Sequence, residues 1–332
     1  MKPYNIVDTY VDTLGFRIVC NSQDERNYLF KEILDFISMQ KIVGIVYDKE
    51  RSNQYYQTTK LQYANSTLAT ISKGFYENSS NGYLMQYYYI NINFYGLKRY
   101  NKTKDDASRR LIRTVAAHLN TEGIYFRLIE LDIAMDIRSN MDNVLVVCTR
   151  RSANIDYFQL GDVDIDGNKI QAHDGTYYIE KFKSRKKEKN AVSRAYLYNK
   201  RLKEQRKFKR DIGFELTRFE VKLQKRYFVK NKYCTGVMHK TLDKYTVLQF
   251  RDTEYKERLI QTCNGAKNGK ERKKLIAEAL SNGDVTLLRP RMDKVGSYLR
   301  EIDTVKFNTY GGFTYTKQED YLYAHSKFNY KH

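Results

Sequence analysis

Only two prolines occur in 332 residues, and no long Gly/Ser tract divides the chain. Such a sequence predicts closely packed subdomains rather than beads on a flexible string. The expected division is 1–228 as one domain and 229–332 as a second. No run of 18 apolar residues exists, and the opening MKPYNIVDTYVDTLGF has no charged segment followed by an apolar one. That pattern predicts neither export nor a membrane span, and so a cytoplasmic location. Four cysteines, Cys20, Cys148, Cys234 and Cys263, stand apart with no CxxC and no nearby His pair. Neither a zinc site nor a disulfide framework is encoded by that spacing, and a reducing compartment fits. A P-loop and a dinucleotide glycine fingerprint are also absent from the sequence.

Positive charge is in excess. Lys and Arg number 59 against 39 Asp and Glu, a formal net charge of +20. Such a surplus exceeds what solubility needs and implies an anionic partner, nucleic acid first among them. AT-rich codons for Lys, Asn and Tyr account for part of it, but codon bias does not cluster charge. Between Lys181 and Lys232 there are 20 Lys and Arg against Glu188, Glu204, Asp211, Glu215 and Glu220, so +15 of the +20 falls within 52 residues. Aromatics run through the same stretch at Phe182, Tyr196, Tyr198, Phe208, Phe214, Phe219, Tyr227 and Phe228. Cations that hold phosphates beside rings that stack bases suit a nucleic-acid groove.

Along the chain, DTLGFRIVC (Asp12 to Cys20) reads as a strand, and Ser22 is placed to cap a helix through Leu29, Ile33, Phe36 and Ile37. Strand-like runs fill Lys41 to Leu68, and YLMQYYYININFY (Tyr83 to Tyr95) is a long β-branched and aromatic strand. Leu111, Ile112, Val115, Ala116 and Leu119 recur at helical spacing, and Ile124 to Ile137 and Asn143 to Cys148 read as strands. An Asp- and Gly-rich loop spans Gly161 to Gly175, and strands at Ser193 to Tyr198 and Phe214 to Leu223 flank a basic turn or short helix. Beyond about residue 230 the period becomes helical, notably at Thr241 to Thr262 and Lys270 to Leu280. The expected class is α+β: a largely antiparallel central sheet backed by helices, with a mainly helical C-terminal region.

The run Glu130-Leu-Asp132-Ile-Ala-Met-Asp136 alternates with period two, which directs Glu130, Asp132 and Asp136 to one face and Leu131, Ile133 and Met135 to the core. Carboxylates gathered on one face repel one another unless cations intervene, and Mg²⁺ or Mn²⁺ prefers oxygen ligands. A solvated or Lys/Arg-paired face is the plain alternative. In TRFEVKL (Thr217 to Leu223), Arg218, Glu220 and Lys222 share a face. Glu220 is thus a further candidate ligand, or half of a cross-strand salt bridge, and Arg218 and Lys222 suit phosphate contacts.

Between these strands lie Thr176-Tyr177-Tyr178-Ile179, a basic stretch with Lys181, Lys183, Arg185, Lys186 and Lys187, and then Arg194-Ala-Tyr196-Leu-Tyr198-Asn-Lys200. Period two places Arg194, Tyr196, Tyr198 and Lys200 on one face. A tyrosine hydroxyl is a competent nucleophile toward a phosphodiester when a cation stabilises the developing charge. With 30 tyrosines in the chain, any single one is by default core or surface.

The order of these elements, ELDIAMD, then T-x-Y (Thr176, Tyr178), then Y-x-K (Tyr198, Lys200), then RFEVKL with Arg218 and Glu220, resembles the Rep_trans-type rolling-circle replication initiators of plasmids and the related MobT-type relaxases. The opening DTLGF also looks like the start of that domain, and the resemblance covers roughly residues 8 to 228. It implies a site-specific DNA nickase that forms a 5′-phosphotyrosyl link and frees a 3′-hydroxyl. By the same resemblance Glu130, Asp132, Asp136 and Glu220 are the metal ligands, Tyr178 is the nucleophile, and Lys200 and Arg218 complete the catalytic set. The chain departs from the pattern after Ile179, where Glu180 and Lys181 open a basic insertion. Tyr177, Tyr198 and Tyr196 therefore stay open as alternative nucleophiles. Lys181 to Lys187, Arg194 and Lys222 are the expected DNA contacts. A homodimer and a recruited host helicase are implied partners.

The five histidines form no His-hydrophobe-His triplet, which excludes HUH endonucleases, and no His-x-x-Arg with a late Tyr supports a tyrosine recombinase. His118 borders an apolar helix face and reads as core or rim, and His173 as a loop residue. The competing class is a non-catalytic, sequence-specific DNA-binding initiator or regulator. A pure binder has no use for an acidic face turned toward phosphates. An RNA-binding protein, a third reading, predicts aromatic platforms and no metal.

Overall fold

The alternation in DTLGFRIVC operates as its spacing predicts: Leu14, Phe16 and Ile18 are buried, whereas Arg17 and Val19 are half-buried on the opposite side. The computed structural model describes residues 7–48, 56–80, 83–148, 158–159, 176–179, 193–224, 227–228, 233–283, 285–302 and 312–313. In chain order these form β1 (Val7–Cys20), α1 (Gln23–Met39), β2 (Gly44–Asp48), β3 (Gln57–Tyr63), β4 (Ser66–Ser80), β5 (Tyr83–Phe94), α2 (Lys102–Thr121), β6 (Phe126–Ile137), β7 (Val144–Cys148), β8 (Phe158–Gln159), β9 (Tyr177–Tyr178) and β10 (Ser193–Asn199). There follow α3 (Lys200–Phe208), β11 (Thr217–Leu223), β12 (Tyr233–Cys234), α4 (Thr235–Leu242), β13 (Tyr245–Phe250), α5 (Thr253–Gly265), α6 (Gly269–Ser281), β14 (Val285–Leu288), α7 (Met292–Ile302) and β15 (Gly312–Phe313). The class is α+β, as expected. No helix among the described residues is long and apolar enough to cross a membrane.

Two compact units emerge. One comprises Val11–Leu131, Lys232–Cys234 and Gly296–His332, the other Met1–Tyr10, Asp132–Asn231 and Thr235–Val295. A division between them falls inside β6, between Leu131 and Asp132.

In the first unit the strands run β2-β3-β4-β5-β1-β6, with antiparallel pairing at β2–β3, β3–β4, β4–β5 and β5–β1. One face of this sheet carries Leu61, Ile71, Phe16, Ile18, Ile90, Ile92 and Phe94. Phe30, Ile33 and Ile37 of α1 and Leu111, Val115 and Leu119 of α2 are buried in the same unit. Phe16 makes an edge contact with Phe94 at 5.9 Å between ring centroids and a tilted one with Phe126 at 4.9 Å. Ser22 caps α1 by accepting from the Glu25 amide, and the Glu25 carboxylate accepts from the Asn21 amide, one residue before the cap, at 2.7 Å. Asn101 caps α2 in the same way. Buried Arg26 ties α1 to β4 by donating to the Gly74 carbonyl at 3.3 Å.

The second unit takes β6 from Asp132 onward in the order β6-β11-β10-β9-β8, plus a three-stranded sheet β14-β13-β7. Leu145, Val147, Leu248 and Phe250 of the small sheet share a core with Leu259 and Cys263 of α5 and Ile276 and Ala279 of α6. The C-terminal region is mainly helical, with one correction inside the window Thr241 to Thr262. Tyr-Thr-Val-Leu-Gln-Phe, rich in aromatic and β-branched residues, forms β13 between α4 and α5 because it pairs with β7 on one side and β14 on the other. Burial pushes the Cys20 thiol up to about 12 and raises that of Cys263, so neither is a reactive thiolate.

Candidate functional site

Burial in β6 changes phase before the acidic run. Phe126 and Leu128 are buried, Ile129 and Glu130 are both half-exposed, and burial is continuous from Leu131 to Ile137. Asp132 and Asp136 therefore lie under cover, not on a solvated surface. A buried carboxylate stays charged only beside a cation and hydrogen-bond donors. Asp136, 3% exposed, has both in Arg218, which is 0% exposed. The guanidinium donates from Nε to Oδ1 at 2.7 Å and from Nη2 to Oδ2 at 3.3 Å. The Tyr10 hydroxyl donates to Oδ2 at 2.6 Å and is itself contacted by Arg218 Nη2.

This arrangement places two of the expected site residues. Asp136, expected as a metal ligand, is the counter-ion of Arg218 and accepts from three donor groups. Arg218 is buried in that pair rather than offered to phosphate. Tyr10 was missed: it lies 126 residues from Asp136 in sequence, and no local pattern links them.

Pairing of β9, β10 and β11 assembles the rest. Arg194 stands opposite Lys222, Tyr196 opposite Glu220 and Tyr198 opposite Arg218. On the other side of β10, Tyr178 stands opposite Tyr196 and Tyr177 opposite Leu197. One row across three strands thus reads Tyr178, Tyr196, Glu220. Of Tyr178 the structure describes this strand position. Tyr198 is buried and donates to Glu220 Oε2 at 2.8 Å. The Arg194 guanidinium lies 5.3 Å from the Tyr196 ring centre and the Lys203 ammonium 4.1 Å from that of Tyr198. Lys222 Nζ approaches Asp132 Oδ2 at 3.9 Å, which sets Asp132 beside the face that carries Glu220. Phe219, on the opposite face, packs edge-on against Tyr245 at 5.6 Å.

Among the described residues no three His, Cys, Asp or Glu side chains gather closely enough to hold a metal ion. Of the four expected carboxylates, Asp136 is paired with Arg218 and Glu130 lies against Gly15. Asp132 lies beside Lys222, and Glu220 accepts from Tyr198. Two carboxylates suit Mg²⁺, which commonly keeps waters and completes its shell with phosphate oxygens.

Lys200 opens α3 instead of continuing β10, because Asn199 caps the helix through the Leu202 amide. Its buried ammonium pairs with Glu204 at 2.7 Å, and Arg210 reaches the same carboxylate at 2.6 Å. The expected phosphate-facing lysine is thus half of an internal ion pair. Burial works against the charged form of Glu204, but Lys200 and Arg210 outweigh it and hold its pKa below the ordinary 4.5. Lys181, Lys183, Arg185, Lys186, Lys187 and His173 lie outside the described residues. His118 stacks on Phe36 at 3.8 Å and meets Glu32, a rim position on its helix.

No protein-family model and no curated protein sequence matches the chain. Among solved structures it is similar to a rolling circle replication initiator protein from Geobacillus stearothermophilus, with a TM-score of 0.38 and 14% identity over 80% of this chain and 91% of that one.

Two outcomes follow from these pairs. Arg218→Ala leaves Asp136 buried without its cation and is expected to cost about 3–5 kcal/mol in urea denaturation, whereas Arg194→Ala costs less than about 1 kcal/mol. Because the folded pKa of Glu204 is depressed, its ion pair contributes stability above pH 4.5 that is lost as pH falls through the lower folded value. Lys200→Met removes the larger of the two favourable partners, so acid unfolding followed by circular dichroism should begin at higher pH than in the wild type.

Proposed function

We propose that the chain is a DNA strand-nicking enzyme of the rolling-circle initiator and relaxase kind. The observation that carries this reading is the cross-strand row Tyr178, Tyr196, Glu220, which brings a tyrosine, an acid and the basic pair Arg194 and Lys222 to one part of the sheet. The order of motifs that resembles Rep_trans-type initiators supports it, as does the charge gathered between Lys181 and Lys232.

In this reading the Tyr178 hydroxyl oxygen attacks the scissile phosphorus. The new O–P bond replaces the bond from phosphorus to O3′, the tyrosine proton leaves to solvent, and O3′ takes one up. The protein then carries the 5′ end as a phosphotyrosyl ester, and the free 3′-hydroxyl can prime synthesis or wait for religation. Arg194 and Lys222 hold the flanking phosphates, and Lys181 to Lys187 extend that grip along the backbone. Asp132 and Glu220 would hold Mg²⁺ or Mn²⁺, whose charge, when the ion is bound, polarises the phosphodiester. A homodimer and a host helicase complete the machinery in this reading.

The test is incubation with supercoiled plasmid bearing the gene's own locus and Mg²⁺ or Mn²⁺. Wild type is expected to give open circles with protein on a 5′ end, and Tyr178→Phe and Asp132→Ala to lose more than about 100-fold of that rate. Arg194→Ala and Lys222→Ala should each weaken binding across all sequences and reduce the salt slope by about 1. Salt-sensitive binding without nicking under either metal would replace the enzyme with a non-cutting DNA-binding initiator.

A further inference from the structure

The first unit's sheet has two unlike faces. Phe16 and Ile18 of β1, Ile71 of β4 and Ile90 and Ile92 of β5 are buried on one side, where Lys73 lies over the Phe30 ring of α1. The other face carries Arg17, Tyr76, Tyr87, Tyr89 and Asn91, all half-buried. Strand register sets them as neighbours: Arg17 opposite Asn91, Val19 opposite Tyr89, Tyr89 opposite Gly74 and Tyr87 opposite Tyr76.

The side chains on this face are organised. The Tyr76 and Tyr87 rings stack with centroids 4.9 Å apart at 25°, and Tyr87 and Tyr89 lie 6.0 Å apart. The Arg17 guanidinium sits 4.3 Å from the Tyr89 ring centre, donates from Nε to Asn91 Oδ1 at 2.8 Å and from Nη1 to the Tyr87 hydroxyl at 3.3 Å. Tyr89 lies across Gly74, where a Cβ would come within 2.5 Å of the ring. The glycine is what lets the ring lie flat on the strand. Phe126 packs on Phe16 on the core face, so Arg127, next along β6, turns to this one; burial lowers the Arg17 pKa, opposed by Tyr87 and aided by Arg127.

A face meant for an apolar protein surface would carry aliphatic side chains; this one carries flat rings, a guanidinium plane, an amide and cations. Rings and guanidinium planes stack on bases of any sequence, and adjacent cations neutralise phosphates. Duplex DNA keeps its bases inside its own stack, so only an unpaired strand can use such a surface. We propose that this face binds single-stranded DNA, with bases stacked on Tyr76, Tyr87 and the Arg17 guanidinium. The proposal rests on the DNA-nicking reading for its choice of DNA as ligand, and it assigns the unpaired strand to residues outside the candidate nicking site.

The chain has no tryptophan, so Tyr76→Trp in the full-length protein installs a single indole on the platform. Titration with an oligo-dT strand of about 16 nucleotides is expected to quench its emission, and a duplex of equal length is not. In otherwise wild-type protein, Tyr87→Ala should weaken binding of the labelled strand, read by anisotropy, by about 10-fold, while Tyr87→Phe retains it. Strand binding with unchanged indole emission and unchanged affinity in Tyr87→Ala would overturn the proposal, as would stronger quenching by RNA of matched sequence. Plasmid nicking is scored separately: nicking without quenching sinks the platform alone, and quenching without nicking sinks the nickase alone.

Discussion

A charged pair closed off from water holds the second unit's sheet in register. Asp136 on β6 and Arg218 on β11 are both buried, and each is tolerable only because the other is present. The guanidinium fork meets the carboxylate with two N–H groups, a geometry that fixes position along the strand as well as distance. With Arg218 fixed, Glu220 and Lys222 follow at period two on the same face. β10 then pairs with β11 and β9 with β10. Tyr178 reaches the row of Glu220 through this succession of pairings, each set by the one before.

Two kinds of surface result, one in each unit. The second unit gathers acids, tyrosines and cations of the kind phosphodiester chemistry needs. The first offers rings and guanidinium groups of the kind an unpaired strand stacks on. The Cys20 and Cys263 thiols are buried and pushed away from reactivity, and His118 is stacked on a phenylalanine at a helix rim.

Much of the fold was legible because local physics decides it. The alternation of Leu14, Phe16 and Ile18, the capping pattern of Ser22 and Glu25, and the helical spacing of Leu111, Val115 and Leu119 all appear where their periods place them. β13 was hidden inside a helix-like window because its strand identity comes from β7 and β14, partners distant in sequence. The site was legible in part. Period two correctly placed Arg194, Tyr196 and Tyr198 with Glu220 and Lys222, but a period says which face a residue occupies and not what covers that face. Hence the pairing of Asp136 with Arg218 was not visible in the period, and Lys200 read as a strand residue although Asn199 had already begun a helix. Tyr10 carried no signal in its own neighbourhood, since its role exists only through a residue far along the chain.

The central claim is that the tyrosine on the Glu220 row forms the covalent bond to DNA. Its most direct test is mass mapping of the protein–DNA adduct trapped on an oligonucleotide whose released fragment, the upstream piece that ends in the free 3′-hydroxyl, diffuses away. A phosphotyrosyl adduct is expected on the peptide that contains Tyr177 and Tyr178, with fragmentation placing it on Tyr178. An adduct on Tyr196, Tyr198 or any other residue, or a cut strand with a free 5′-phosphate and no adduct, would contradict it.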